Sequence, residues 1–211
     1  MKKPKVSLLD AMKKPPDPFL EETAFHEAGH AVAAVKKNLT FESVSIVPNI
    51  REGSAGHSIS LDGDYFVPTP RGYQIDVEKA QDLVIESLAG FAAQMKHNPK
   101  STRAAWGAAK DFDRATQILI DIQQKPLFSA YQKKARAFVK DNWNAITMVA
   151  RDLLEKKRLR DIEVTCIVAI AQGEDNAQDL LTRWRRDLGI SPSQQFPGTR
   201  SAIPSPDAPT R

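Results

Sequence analysis

A single cysteine, Cys166, excludes any disulfide framework, and its apolar neighbours make it a buried, inert thiol. No apolar run reaches the roughly 20 residues of a membrane helix; Val164 to Ala171, near the C-terminus, is far too short. The first ten residues are basic, but Lys13, Lys14, Pro15 and Pro16 follow where a secretory signal would carry an apolar core. These absences predict a cytoplasmic protein with no membrane span. Neither sign of charge dominates at a net +4. The basic tracts within 1–16 and 133–160 read as solvated surface, so no nucleic-acid partner is expected. Histidine is scarce as well, four in 211 residues, and two of the four stand four positions apart.

Those two are His26 and His30 in His26-Glu27-Ala28-Gly29-His30, the spacing H-E-x-x-H. On a helix, residues four apart share a face with Cβ atoms about 5–6 Å apart, so both imidazoles can reach one zinc ion at about 2.0–2.1 Å. Glu27 is turned about 100° around the axis, where a general base belongs. A helix from Pro18 to Lys37 is predicted: Asp17 is the N-cap, Pro18 the first position, Glu21 and Glu22 suit its positive end, and Lys36 and Lys37 its negative end. Residues 24–35 are otherwise apolar all round, the pattern of a helix packed on several sides. Two such histidines can also be hydrogen-bonded core residues, and a third ligand separates the two readings. The extended motif ending G-x-x-H fails at Ala33 and Lys36. Spacing alone leaves Glu78, Asp82, Asp111 and Asp113 open.

Along the chain, Glu42–Val47 and Gly56–Leu61 alternate polar and apolar residues and predict a hairpin beside the metal helix. Helices are predicted over Asp76–Met95, from an N-cap at Asp111 through Ile122, over Leu127–Lys157 as one long element, over Ile162–Gln172, and over about Asp175–Leu188 with Gly189 as its C-terminal cap. Three segments result: a basic flexible arm, 1–16; a mainly α domain, 17–189; and a Pro/Ser-rich tail, 190–211, expected to be disordered.

Four ordered blocks match a known family. Thr23-Ala-Phe-His-Glu-Ala-Gly-His-Ala-Val32, Val44-Ser-Ile-Val-Pro48, Leu88-Ala-Gly-Phe-Ala-Ala-Gln94 and Gly107-Ala-Ala-Lys-Asp-Phe-Asp-Arg-Ala-Thr116 resemble the peptidase domain of FtsH-type ATP-dependent zinc metalloproteases. The resemblance covers about residues 18 to 170. It implies a zincin-like helical fold, and it implies that Asp111, from the family's G-A-S-N-D block, is the third zinc ligand beside His26 and His30. Three departures from the family pattern follow: no Walker A sequence occurs in these 211 residues, so an ATPase domain is not expected; no membrane anchor is expected; and Gln94 stands where the family has Glu. That last change leaves to the structure whether position 94 still orients a ligand imidazole.

The implied activity is that of a stand-alone zinc endopeptidase, ATP-independent on its own, acting on unfolded or flexible polypeptides, with a separate ATPase as a possible partner. His57 is a candidate for stabilising the oxyanion, and the edges of the hairpin strands are candidates for holding an extended peptide. The alternative is a non-catalytic binding or regulatory module that retains the zinc site. The missing ATPase motor and Gln94 favour it, and retention of Glu27 speaks against it.

Overall fold

The computed structural model describes residues 18–48, 57–60 (backbone) and 65–187. The fold is mainly helical. α1 (Pro18–Lys36) is followed by β1 (Phe41–Ser45), β2 (His57–Ser60), β3 (Phe66–Thr69) and β4 (Gly72–Ile75). Then come α2 (Val77–His97), the short α3 (Ala104–Gly107), α4 (Ala109–Asp121), α5 (Phe128–Asp141), α6 (Trp143–Lys156), β5 (Arg158–Arg160), α7 (Asp161–Ala171) and α8 (Ala177–Asp187). No described helix is long and apolar enough to cross a membrane. The expected Asp17 cap, the arm, the tail and Gly189 lie outside the described residues.

α1 is the centre of the fold because it is apolar on every side. Ala24, Ala28, Ala31 and Val32 are all fully buried, with α2 and α6 as its main neighbours. Asp76 starts α2 by accepting the Lys79 backbone N–H at 2.9 Å. α1 and α2 run antiparallel: Glu22 meets Gln94, His30 meets Glu86, and Lys37 pairs with Asp82 at 2.6 Å. The two helices pack tightly at Gly29, where an added Cβ would lie 2.6 Å from the Ala89 carbonyl oxygen and 2.8 Å from Ala93 Cβ. The first obstacle is backbone and cannot rotate away. Gly29→Ala is therefore expected to cost about 1–3 kcal/mol by forcing the helices apart. A drop in melting temperature of roughly 2–4 °C per kcal/mol would register it, and an unchanged melting temperature would contradict the contact.

The long helix predicted over 127–157 is instead two. Asn142 interrupts it, with its side-chain amide donating to the Phe138 carbonyl at 2.9 Å. Such local bonding offers the backbone an alternative to a regular helix. The break has a packing consequence, since α5 lies against α2 while α6 lies against α1. Trp143, the first residue after it, stacks on Phe25 at 5.3 Å between ring centroids.

The expected hairpin is present, with β1 antiparallel to β2. β1, however, is the central strand of a three-stranded sheet, because β5 pairs along its other side with Val44 opposite Leu159. The Ile46 amide also donates to the Lys157 carbonyl at 2.9 Å. The edge near Val44–Val47 is thus already taken and cannot hold a substrate. β3 and β4 form a second hairpin that turns at Gly72, whose φ of +126° suits glycine alone. Cys166 is buried, as expected, and burial raises its thiol pKa.

Candidate metal centre

The site forms where three helices meet. His26 and His30, one turn apart on α1, are both buried. Asp111 comes from the first turn of α4. It is not the N-cap predicted for it: α4 begins at Ala109, two residues earlier, with Ala108 at the cap position and no side-chain cap. The reason is that α3 runs almost directly into α4 through a stretch of alanines, the Ala108 amide donating to the Ala104 carbonyl and the Phe112 amide to Ala108. The carboxylate, released from capping, turns toward the histidines. The first turn still favours its ionised form.

His26 Nε2 lies 3.1 Å from His30 Nε2 and 3.1 Å from Asp111 Oδ2, and His30 Nε2 lies 3.4 Å from the same oxygen. Tetrahedral ligands at about 2.0–2.1 Å from zinc are about 3.3 Å apart, so this triangle matches the face a zinc ion would occupy. The protonation pattern agrees. His30 Nδ1 donates to the Glu86 backbone carbonyl at 2.9 Å, and His26 Nδ1 donates to Gln94 Oε1 at 3.1 Å. With both Nδ1 atoms committed as donors, both Nε2 atoms carry lone pairs when the rings are neutral. With both rings neutral, two lone pairs and a carboxylate oxygen converge with no donor among them, an arrangement that a cation, metal ion or proton, would satisfy. Of the four acids that spacing left open, Asp111 alone joins the histidines; Asp82 pairs with Lys37, and Glu78 and Asp113 are exposed.

The electrostatics follow from burial in company. Burial opposes charge on His30, but the Asp111 carboxylate, with Glu86, outweighs it and holds the His30 pKa well above the ordinary value. Burial likewise opposes ionisation of Asp111, yet the two histidines draw its pKa well below the usual carboxylate range. Glu27 is the reverse. Burial raises its pKa, and Asp111 and Glu86 add to the rise against the opposing pull of His26 and His30. Those influences put its carboxyl within electrostatic reach of the cluster.

Four participants were not singled out from the sequence. Glu86 is a buried carboxylate, 3.4 Å from His30 Nδ1 through Oε1, and its Oε2 accepts from Arg114 Nη1 at 2.8 Å. Since Arg114 sits three residues after Asp111, this ion pair ties the helix of the third acid to the helix that orients His30. Glu22, read as a helix-end charge, lies one turn before His26 on the same face, and that spacing was its available signal. Gly90 lies directly against the His30 ring. His97 ends α2, two residues beyond the end predicted at Met95, and stacks on Phe25 at 3.9 Å. The side chain of His57 lies outside the described residues.

A mainly helical domain with a small sheet, and with two buried histidines and a part-buried aspartate grouped so that they could hold a metal ion, defines the class. Over 183 residues the chain is 27% identical to a protein named ATP-dependent zinc metalloprotease FtsH 1, from Symbiobacterium thermophilum, covering 72% of this chain and 29% of that protein. Over 102 residues it is 30% identical to the ATP-dependent zinc metalloprotease FtsH of Malacoplasma penetrans, covering 46% of this chain and 11% of that protein. No family model matches the chain. The chain spans less than a third of the length of these relatives, and its relationship to FtsH-type zinc metalloproteases is a distant one.

Proposed function

We propose that this chain is a zinc-dependent endopeptidase that cleaves unfolded or flexible polypeptides without ATP, in the cytoplasm. The observation that carries this reading is the convergence of His26 Nε2, His30 Nε2 and Asp111 Oδ2 at 3.1–3.4 Å, with Glu27 beside them in the H-E-x-x-H register. His26, His30 and Asp111 would hold the ion. Once bound, zinc supplies a Lewis acid that polarises the scissile carbonyl and lowers the pKa of water to about 7. Glu27 accepts the proton of the attacking water at its carboxylate and returns it to the leaving amine nitrogen. Its burial, which raises its basicity above that of an exposed carboxylate, favours the first transfer.

The polypeptide is held by its backbone. Among the described residues β2 pairs only with β1, so its outer edge remains open for an added strand, whereas β1 is paired on both sides. Nucleotide-driven unfolding would come from a separate ATPase partner. The non-catalytic alternative drew on Gln94, but Gln94 Oε1 accepts from His26, so this substitution does not favour it.

The test is hydrolysis of casein by the purified chain loaded with one equivalent of zinc. Activity is expected to be abolished by a chelator, restored by zinc and unaffected by ATP. Asp111→Ala is expected to lose zinc under mild chelation as readily as His26→Ala or His30→Ala. Full zinc occupancy in Asp111→Ala would remove Asp111 from the ligand set, and failure of the wild type to cleave casein in any metal state would overturn the enzyme.

A further inference from the structure

Imidazole can ligate a metal through Nε2 only if its proton sits on Nδ1, so something must hold that proton there. For His30 the holder is the Glu86 backbone carbonyl, which can only accept. For His26 it is the side-chain amide of Gln94. An amide is ambiguous, because turned end for end it presents NH2 instead of oxygen. In that orientation the amide would donate to His26 Nδ1, move the ring proton to Nε2 and block ligation.

The ambiguity is resolved one residue further out. Gln94 Nε2 donates to Glu22 Oε2 at 3.0 Å, and a carboxylate can only accept, so the NH2 must face Glu22 and the oxygen must face His26. Glu22 is buried and fully engaged: Ser101 Oγ donates to Oε2 and Asn98 Nδ2 donates to Oε1 at 2.6 Å. Asn98 is itself oriented, since its Oδ1 accepts from the Lys100 amide at 3.1 Å. Burial pushes the Glu22 pKa up, but hydrogen bonds from Ser101, Gln94 and Asn98 outweigh it, so the group stays ionised through the neutral range.

We propose that Glu22 is a positioning residue for the metal centre: acting through the Gln94 amide, it sets the tautomer of His26 and thereby leaves Nε2 free to bind the ion. Glu22 touches neither ion nor substrate. The chain runs from carboxylate to amide to imidazole, with each proton direction dictated by the acceptor-only group at its far end.

This inference rests on the metal-site reading above, and Glu22→Gln tests it apart from that reading. Asn98 Nδ2 keeps an oxygen at the Oε1 position, so the new amide places its NH2 where Oε2 was, facing Gln94. Gln94 must then turn its oxygen toward residue 22 and its NH2 toward His26. The expected results are a His26 proton moved from Nδ1 to Nε2 in the metal-free protein, read from side-chain nitrogen NMR where the ring is neutral, and a zinc affinity lowered by about 10–100-fold in a chelator competition. The double variant Glu22→Gln/Gln94→Glu restores an acceptor-only group against His26 with a donor behind it. It should return the Nδ1 proton and bring zinc affinity back to within about threefold of wild type, far above the single variant.

Wild-type tautomer and zinc affinity in a folded Glu22→Gln protein would overturn the proposal. So would a double variant no better than the single, which marks a merely structural role; if the single variant does not fold, the double variant alone decides. Absence of zinc binding by the wild type would instead sink the metal reading, because the tautomer is measured without metal.

Discussion

Glu27→Gln is expected to lower casein hydrolysis by about 10²–10⁴-fold, the usual contribution of a positioned proton acceptor, while zinc content stays at wild type. The substitution keeps the shape of the side chain and removes only its basicity. Stability gives a second readout with an opposite sign for the two roles open to this residue. Burial raises the Glu27 pKa, which means the folded state disfavours its charge. In the metal-free protein a neutral amide relieves that cost, so the melting temperature measured without zinc is expected at or above the wild-type value. A structural ion-pair partner would instead lose stability and keep activity. Full hydrolysis by Glu27→Gln would sink the mechanism.

Gly90→Ala is expected to empty the metal site without disrupting the helices around it. An added Cβ would lie 2.2 Å from His30 Nε2, the proposed ligand atom, and 2.6 Å from Cδ2 of the same ring. No bonded or packed arrangement tolerates that, so the imidazole must swing away. Zinc affinity should fall by at least about 10²-fold, with hydrolysis falling alongside it. A glycine inside a helix ordinarily costs roughly 0.5–1 kcal/mol relative to alanine. Relief of that cost offsets part of the disturbance, and the helical circular dichroism of the variant should stay close to wild type. Tight zinc binding by a folded Gly90→Ala protein would show that the ring does not sit where it is described. The pairing of Gly29 and Gly90 is informative. One lets the two helices approach, and the other makes room for the ring that the approach brings in.

Local features were legible wherever one element carried its own signals. α1 ends within a residue of the boundary expected from Pro18 and the lysines of its last turn, and α2 starts at its Asp76 cap. The β1–β2 pairing followed from alternation alone. Most of the errors share a cause, which is competition from outside the segment. An amphipathic pattern running through 127–157 carries no mark of the two different helices it must cover, so the break at Asn142 went unread. β5 is three residues, Arg158-Leu159-Arg160, with no pattern of its own, and exists because β1 offers it a free edge. The β3–β4 hairpin did have a signal in Thr69-Pro70-Arg71-Gly72, a turn followed by renewed extension, and that signal was passed over. Asp111 was read as a cap because aspartate favours caps, while the alanines before it extended the helix past it.

The sequence by itself determined His26, Glu27 and His30 as a unit, because the period of a helix places residues four apart on one face whatever surrounds it. It also carried the small residues, Gly29 and Gly90, that the site requires, without saying what each one makes room for. Spacing left the third acid open and only the resemblance pointed to Asp111; the tertiary structure brings that carboxylate from α4 to the histidines, and it alone adds the acceptors of Glu86 and Gln94 on α2 and the carboxylate of Glu22 behind Gln94. Asp111 stands 81 residues beyond His30 in the chain, by 111 − 30, and no periodicity extends across that distance. Which faces meet depends on how closely α1 and α2 approach at Gly29 and where α4 begins, and those are properties of packed helices rather than of any one of them.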